Sequence, residues 1–155
     1  MRPCVFLLLS LGMLGAGDGS LDRATLRGVT SMNVVIDRLD PELEKAGITQ
    51  DLLRARVAGR LSMAGITVDP AALEFVGLRI DSFLARKGPD SLSLSLAFFQ
   101  PVLLVRDQKV RTASPTWEVS TILMVAPKPL VQSTMDAADQ LADQFVSAFR
   151  SVNPK

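Results

Sequence analysis

The chain has 155 residues, 48% of them apolar, and its 17 basic and 16 acidic side chains leave a formal charge of +1. No basic block occurs, so the electrostatic footprint of a nucleic-acid binder is missing and strong adhesion to anionic membranes is disfavoured. The chain has no histidine, no tyrosine and a single cysteine, which excludes serine–histidine–aspartate triads, imidazole bases, histidine metal sites and a phenolic acid.

The N-terminus has the layout of a secretory signal peptide. Met1-Arg2 gives a positive start, Val5 to Leu14 is an apolar run broken by Ser10 and Gly12, and Gly15, Ala16, Gly17 and Gly19 supply small residues. Cleavage is expected after Gly17 or Gly19. The competing reading is an uncleaved anchor, but the run is shorter than the roughly 20 apolar residues of a membrane span. Cys4 precedes the run, whereas a lipoprotein signal needs its cysteine after it. Cys4 would depart with the leader, leaving no thiol nucleophile and no thiolate metal ligand. This divides the chain into a signal peptide, 1–19, and a single α/β domain, 20–155. About 135 residues suffice to bury a core without disulfides. The absence of disulfides and glycosylation sequons points to a bacterial envelope, so a periplasmic or secreted location is predicted.

Gly28 to Asp37 reads as a strand, with Met32, Val34 and Ile36 on one face. Leu39 to Gly47 contains Pro41 and a charge cluster and reads as a loop. Thr49 is a helix N-cap with Asp51 in the first turn. Leu53, Val57 and Leu61 form the apolar stripe, widened by Leu52 and Ala64, with Arg54, Arg56 and Arg60 covering the rest. Gly65 stops the helix where a left-handed residue is wanted, and Ile66 folds back. Asp69-Pro70 turns the chain. Leu73 to Ala85 is a second strand: Val76, Leu78 and Ile80 face one way, Arg79, Asp81 and Phe83 the other. After the turn Lys87 to Asp90, the run SLSLSLAF alternates leucine and serine, as a half-buried antiparallel strand does. It continues to Val105. Asp107-Gln108 is the expected connection, and Val110 to Val125 the returning strand, with Trp117, Val119, Thr121, Leu123 and Val125 in phase. Pro127 and Pro129 end it. Leu130 to Val152 is a long helix, with Ala138, Leu141, Phe145 and Phe149 on one side and Asp136, Asp139 and Asp143 on a solvated other.

The fold class is therefore α+β: a two-layer sandwich, a four-stranded mixed sheet with two helices on one face, in the order β-α-β-β-β-α. No catalytic constellation, metal site or cofactor motif emerges. Glu42 and Glu44 beside Asp37, Asp40 and Lys45 lack the spacing of a calcium loop, and no glycine pattern cradles a phosphate. Ser91, Ser93 and Ser95 lack a base and read as the polar side of a strand. Trp117 reads as a core ring, the alternative being an aromatic platform. One segment breaks the rules: from Phe98 to Val105, Gln100 aside, the strand is apolar on both faces, and Pro101 suggests an edge or bulge. Either the hairpin end twists over its own core, or a homodimer mate, a partner protein or a lipid chain covers the second face. Candidate binding residues are Phe99, Leu103 and Val105, with Arg79 and Arg111 as polar neighbours.

Ser91 to Arg106, then Thr116-Trp117, then Asp139 to Pro154 ending in FVSAFRSVNP, resemble a group of uncharacterised exported bacterial proteins, a resemblance that implies an envelope location and no activity. The element order is also similar to small envelope domains such as the TolB N-terminal domain and the penicillin-binding-protein activator lipoproteins, although this chain lacks a lipobox. The expectation is a non-enzymatic envelope protein acting as a protein-interaction or assembly module, with an envelope protein or a second copy as partner. A carrier or sensor of a small apolar ligand, held between helices and sheet beside Met32, Met63, Met124 and Met135, is the alternative. An enzyme using only Asp, Glu, Ser, Lys or Arg is the third.

Overall fold

The computed structural model describes residues 17–154; the leader's positive start, its apolar run and Cys4 lie outside the described residues. The elements are α1 (Ser20–Ala24), β1 (Ser31–Ile36), α2 (Pro41–Lys45), α3 (Gln50–Met63), β2 (Thr67–Val68), β3 (Phe75–Phe83), β4 (Asp90–Leu104), β5 (Asp107–Val125) and α4 (Leu130–Val152). The sheet runs β2-β1-β3-β4-β5. β1 lies parallel to β3 across the α3 crossover, and β3, β4 and β5 form the expected antiparallel meander.

The expected four strands and two helices become five strands and four helices among the described residues. β2 is a two-residue parallel addition to β1, with Ser31 opposite Thr67, too short to carry a period. α1 and α2 are single turns. The segment read as a loop because of Pro41 instead starts α2 there. Asp40 caps it by accepting from the Glu42 N–H at 2.9 Å, and proline suits the first helical position because no N–H is needed there.

α3 begins and ends as its residues dictate. The Thr49 hydroxyl accepts from the Leu52 N–H. Gly65 takes a left-handed φ of 82°, and the Ile66 N–H returns to the Leu61 carbonyl. Leu53, Val57 and Leu61 are fully buried, whereas Leu52 is 42% exposed and lies outside the stripe.

α3 and α4 pack against each other and against one face of the sheet. That face presents Val34, Val76, Leu78, Leu92, Leu94, Leu96 and Val119, all buried. Burying a leucine of this kind stabilises by about 1.5–3 kcal/mol. Trp117 is a core ring, 1% exposed. Phe145 of α4 packs edge-on against it at 5.1 Å and lies 5.7 Å from Phe98, and such pairs add about 0.5–1.5 kcal/mol each beyond their burial.

The expectation of a solvated acidic face on α4 fails at Asp139, which is 7% exposed. Arg56 grips both its carboxylate oxygens, at 3.0 and 2.8 Å, and Arg60 adds a third contact at 2.8 Å while reaching Asp143. Two of the three arginines on that side of α3, Arg56 and Arg60, thus clamp the neighbouring helix, while Arg54 pairs with Asp51 of its own helix. Burial raises the Asp139 pKa, but the hydrogen bonds and charges of the two guanidiniums outweigh it and hold the carboxyl below its usual value.

Candidate interaction surface

β4 is longer than the strand beside it, and the surface follows from that mismatch. β3 pairs with β4 from Phe83 opposite Ser91 up to Phe75 opposite Phe99. Before Phe75 the chain is still leaving the Asp69-Pro70 turn, so no third strand accompanies β4 beyond Phe99. From Gln100 onward β4 has only β5 for a partner, with Ala113 opposite Pro101 and Arg111 opposite Leu103. The result is a two-stranded arm, residues 100–115, projecting past the sheet. Pro101, which has no N–H to give a ladder, falls in this open-edged stretch.

A bulge marks the base of the arm. Phe98 pairs with Trp117 and Phe99 with Pro115, so Thr116 is the extra residue. Its hydroxyl donates to the Gln100 side-chain oxygen at 2.8 Å, and the Gln100 amide donates to the Glu74 carboxylate at 2.9 Å. This chain of hydrogen bonds ties β5, β4 and the start of β3 together where the arm leaves the sheet. Nothing in the sequence pattern announces it, because its three members are far apart in the chain.

The broken alternation has a physical cause. Phe98 points into the core and is fully buried, while Phe99 lies on the opposite face, stacked on Phe75 with ring centroids 4.8 Å apart and planes within 9°. Gly77 lies under that stack: a Cβ there would stand 3.1 Å from the Phe99 ring. Two consecutive aromatics therefore serve opposite faces. Past them the arm does not twist back over the core. Leu103 is 50% exposed and Val105 97%.

The turn is Val105-Arg106, and Asp107-Gln108, expected as the connection, belongs to β5. The tip thus offers an apolar residue to solvent. Arg106, Lys109 and Arg111 are exposed around it, against one carboxylate, Asp107. The sequence has no basic block, yet folding the hairpin gathers three cations beside Leu103 and Val105.

The candidate residues do not form one site. Arg79 stands in register with Ser95 and Arg111 with Leu103. The rows are eight positions apart along β4, about 26 Å at the usual rise of a strand. Arg79 is held by Asp81 of its own strand, its Nε 2.9 Å from a carboxylate oxygen, an exposed pair of small energetic worth. Phe99 and Arg79 do come together, lining one trough on the open sheet face with Val35, Phe75, Gly77 and Ala97. Leu103, Val105 and Arg111 belong to the arm. Farther along the open face, Phe83, Ile122 and Met124 are each more than 70% exposed.

Among the described residues, no group of three acidic or cysteine side chains is placed to hold a metal, and no helix is long and apolar enough to cross a membrane. Of the methionines proposed to line a ligand site between helices and sheet, Met32 and Met135 are core residues. Met63 and Met124 are each 76% exposed.

No family model matches the chain, and no curated protein matches it. Among solved structures, a PelC dodecamer from Paraburkholderia phytofirmans is similar over 76% of this chain and 86% of that one, with 10% identity and a TM-score of 0.45. The rare lipoprotein B from Shewanella oneidensis is similar over 79% of this chain and 96% of that one, with 13% identity and a TM-score of 0.39. A minor lipoprotein from Acinetobacter baumannii is similar over 81% and 95%, with 11% identity and a TM-score of 0.38. These are loose likenesses of architecture.

Proposed function

We propose that this chain is a non-enzymatic exported protein of the bacterial envelope that works as a docking module, placing its 100–115 arm on an acidic and apolar surface of a partner polypeptide. The observation that carries this reading is Val105, 97% exposed at the tip of a two-stranded arm with half-exposed Leu103 behind it. Apolar side chains at a projecting tip, with unpaired strand edges on either side, are a hazard for a protein that keeps to itself and an asset for one that docks. Arg106, Lys109 and Arg111 select an acidic counterpart. They also argue against two arms meeting symmetrically, since like charges would then oppose each other. Chemistry is disfavoured for a separate reason. The chain has no histidine, and the most buried carboxylate of α4, Asp139, is committed to two arginines.

A second reading has its own observation. The trough lined by Gly77, Ala97 and the Phe75–Phe99 stack, and also by Asp37, Arg79 and Glu118, would take a small ligand with an apolar body and a polar end on the open sheet face.

Native mass spectrometry of the protein purified from its own envelope, beside a Val105→Asp variant, tests both. The expected result is a second polypeptide at fixed stoichiometry, lost in the variant. A dimer of this chain would replace the partner by a second copy. A small adduct that survives the substitution would favour the trough. A bare monomer in both samples refutes docking through the arm.

A further inference from the structure

Two bonds meet the small-residue requirement for leader removal, after Gly17 and after Gly19, and the fold distinguishes them. Asp18, between the two bonds, is built into the domain. Its Oδ1 accepts from the Trp117 indole N–H at 2.7 Å and from Arg23 Nε at 2.8 Å, and its Oδ2 accepts from Arg23 Nη2 at 2.6 Å. Trp117 is 1% exposed, and Asp18 is the acceptor that satisfies its N–H. Without Asp18 the indole N–H loses a charged acceptor and exchanges it for water at the partly exposed place the carboxylate vacates. Arg23, on α1, would lose both contacts of its forked pair as well.

Gly17 contributes fewer contacts, although it lies close against β5, where a Cβ would stand 2.6 Å from the Glu118 carbonyl oxygen. Its carbonyl accepts one bond from the Glu118 N–H at 3.1 Å. Glu118 is exposed on the outer edge strand, so water can take over that donor once Gly17 has gone.

We propose that the leader is removed by hydrolysis of the Gly17–Asp18 bond and that Asp18, as the first residue of the mature chain, is a structural residue that completes the Trp117 environment. Water adds across the peptide bond. Gly17 leaves with the leader as a carboxylate, and Asp18 gains the new α-amino group. The side-chain contacts of Asp18 survive this cut and would all be lost in a cut after Gly19. The folded domain thus includes Asp18, and a chain trimmed to Ser20 would lose the carboxylate that joins Trp117 to Arg23. The inference rests on the export reading of residues 1–19 and is independent of the arm.

The test is the intact mass of the exported protein, produced from the full-length gene in a Gram-negative host. A chain beginning at Asp18 is expected. A Ser20 start overturns the inference while leaving export standing. A chain of full length overturns the export reading and the inference together, and any other start overturns the chosen bond. The structural half is read separately from Asp18→Ala and Asp18→Asn in the same gene, each with its N-terminus verified by mass. Asp18→Ala is expected to lower the Tm and shift the emission of the single tryptophan. Asp18→Asn, which keeps an acceptor for the indole, is expected to restore the emission and part of the Tm. Unchanged emission and Tm in Asp18→Ala overturns the structural role.

Discussion

Replacing Phe99 by alanine and Val105 by aspartate separates the two halves of the apolar run that breaks the strand pattern. Phe99 is half-buried on the open face and stacked on Phe75 at 4.8 Å. A fully buried phenylalanine costs about 3–5 kcal/mol on truncation, so a half-buried one loses roughly 2. The stacked pair adds about 1 kcal/mol. Phe99→Ala is therefore expected to destabilise by about 2–3 kcal/mol. Val105 is 97% exposed, and Val105→Asp is expected to fall within about 0.5 kcal/mol of wild type. Leu103→Ser lies between, at about 1 kcal/mol, because roughly half of its side chain is covered. Urea unfolding with the slope held constant measures all three. The association read by native mass spectrometry is expected to show the reverse order, lost in Val105→Asp and retained at low denaturant in Phe99→Ala. If Val105→Asp destabilises as much as Phe99→Ala, the tip is packed against the domain and the projecting arm is refuted. If Phe99→Ala is silent, the stack holds nothing together.

Three further outcomes are expected. Asp139→Ala removes the carboxylate that joins α3 to α4 and should cost about 1–2 kcal/mol in urea unfolding. The figure lies at the low end for charge-assisted bonds because Arg56 and Arg60 are about a third exposed and can rehydrate. Stability should also fall in acid. Asp18 is held below the usual carboxylate range by the Arg23 hydrogen bond, against its own desolvation, with help from Trp117. In Asp139 desolvation is overcome by the two arginines. A carboxylate depressed in the folded state contributes stability that is present above its unfolded pKa, about 4, and is lost as pH falls through the lower folded value. Urea midpoints should therefore drop below about pH 4, and less steeply in an Asp18→Asn, Asp139→Asn double variant; equal slopes would contradict the pairing. Gly65→Ala forces a side chain into a φ of 82° and should destabilise by about 1–2 kcal/mol, with Gly65→Asn recovering part of it.

Elements with a sustained local signal are legible in the amino-acid sequence. The leucine–serine strand, the Thr49 cap, the left-handed Gly65 and the 23-residue α4 follow from period, capping and backbone sterics, all within one element. The parallel β1–β3 pair follows too, because a strand–helix–strand unit has few ways to close. Two-residue β2 and the five-residue turns α1 and α2 are invisible there because they are shorter than any period. Pro41 misleads for a related reason: the same ring that breaks a helix interior suits its first residue.

By itself the sequence determined which residue types are available for chemistry, where the strands and long helices run, and which face of each is apolar, because these depend on composition and on neighbours a few positions apart. Only the tertiary structure decided what meets across the chain. The Arg56–Asp139–Arg60 clamp spans about 80 residues and turned an apparent solvated face into a helix contact. Trp117 finds its acceptor in Asp18, 99 positions away. The arm exists because β3 stops pairing at Phe75 while β4 and β5 continue, a difference in strand length that neither strand records. Contacts of this kind are set by register and packing, and a local pattern contains neither.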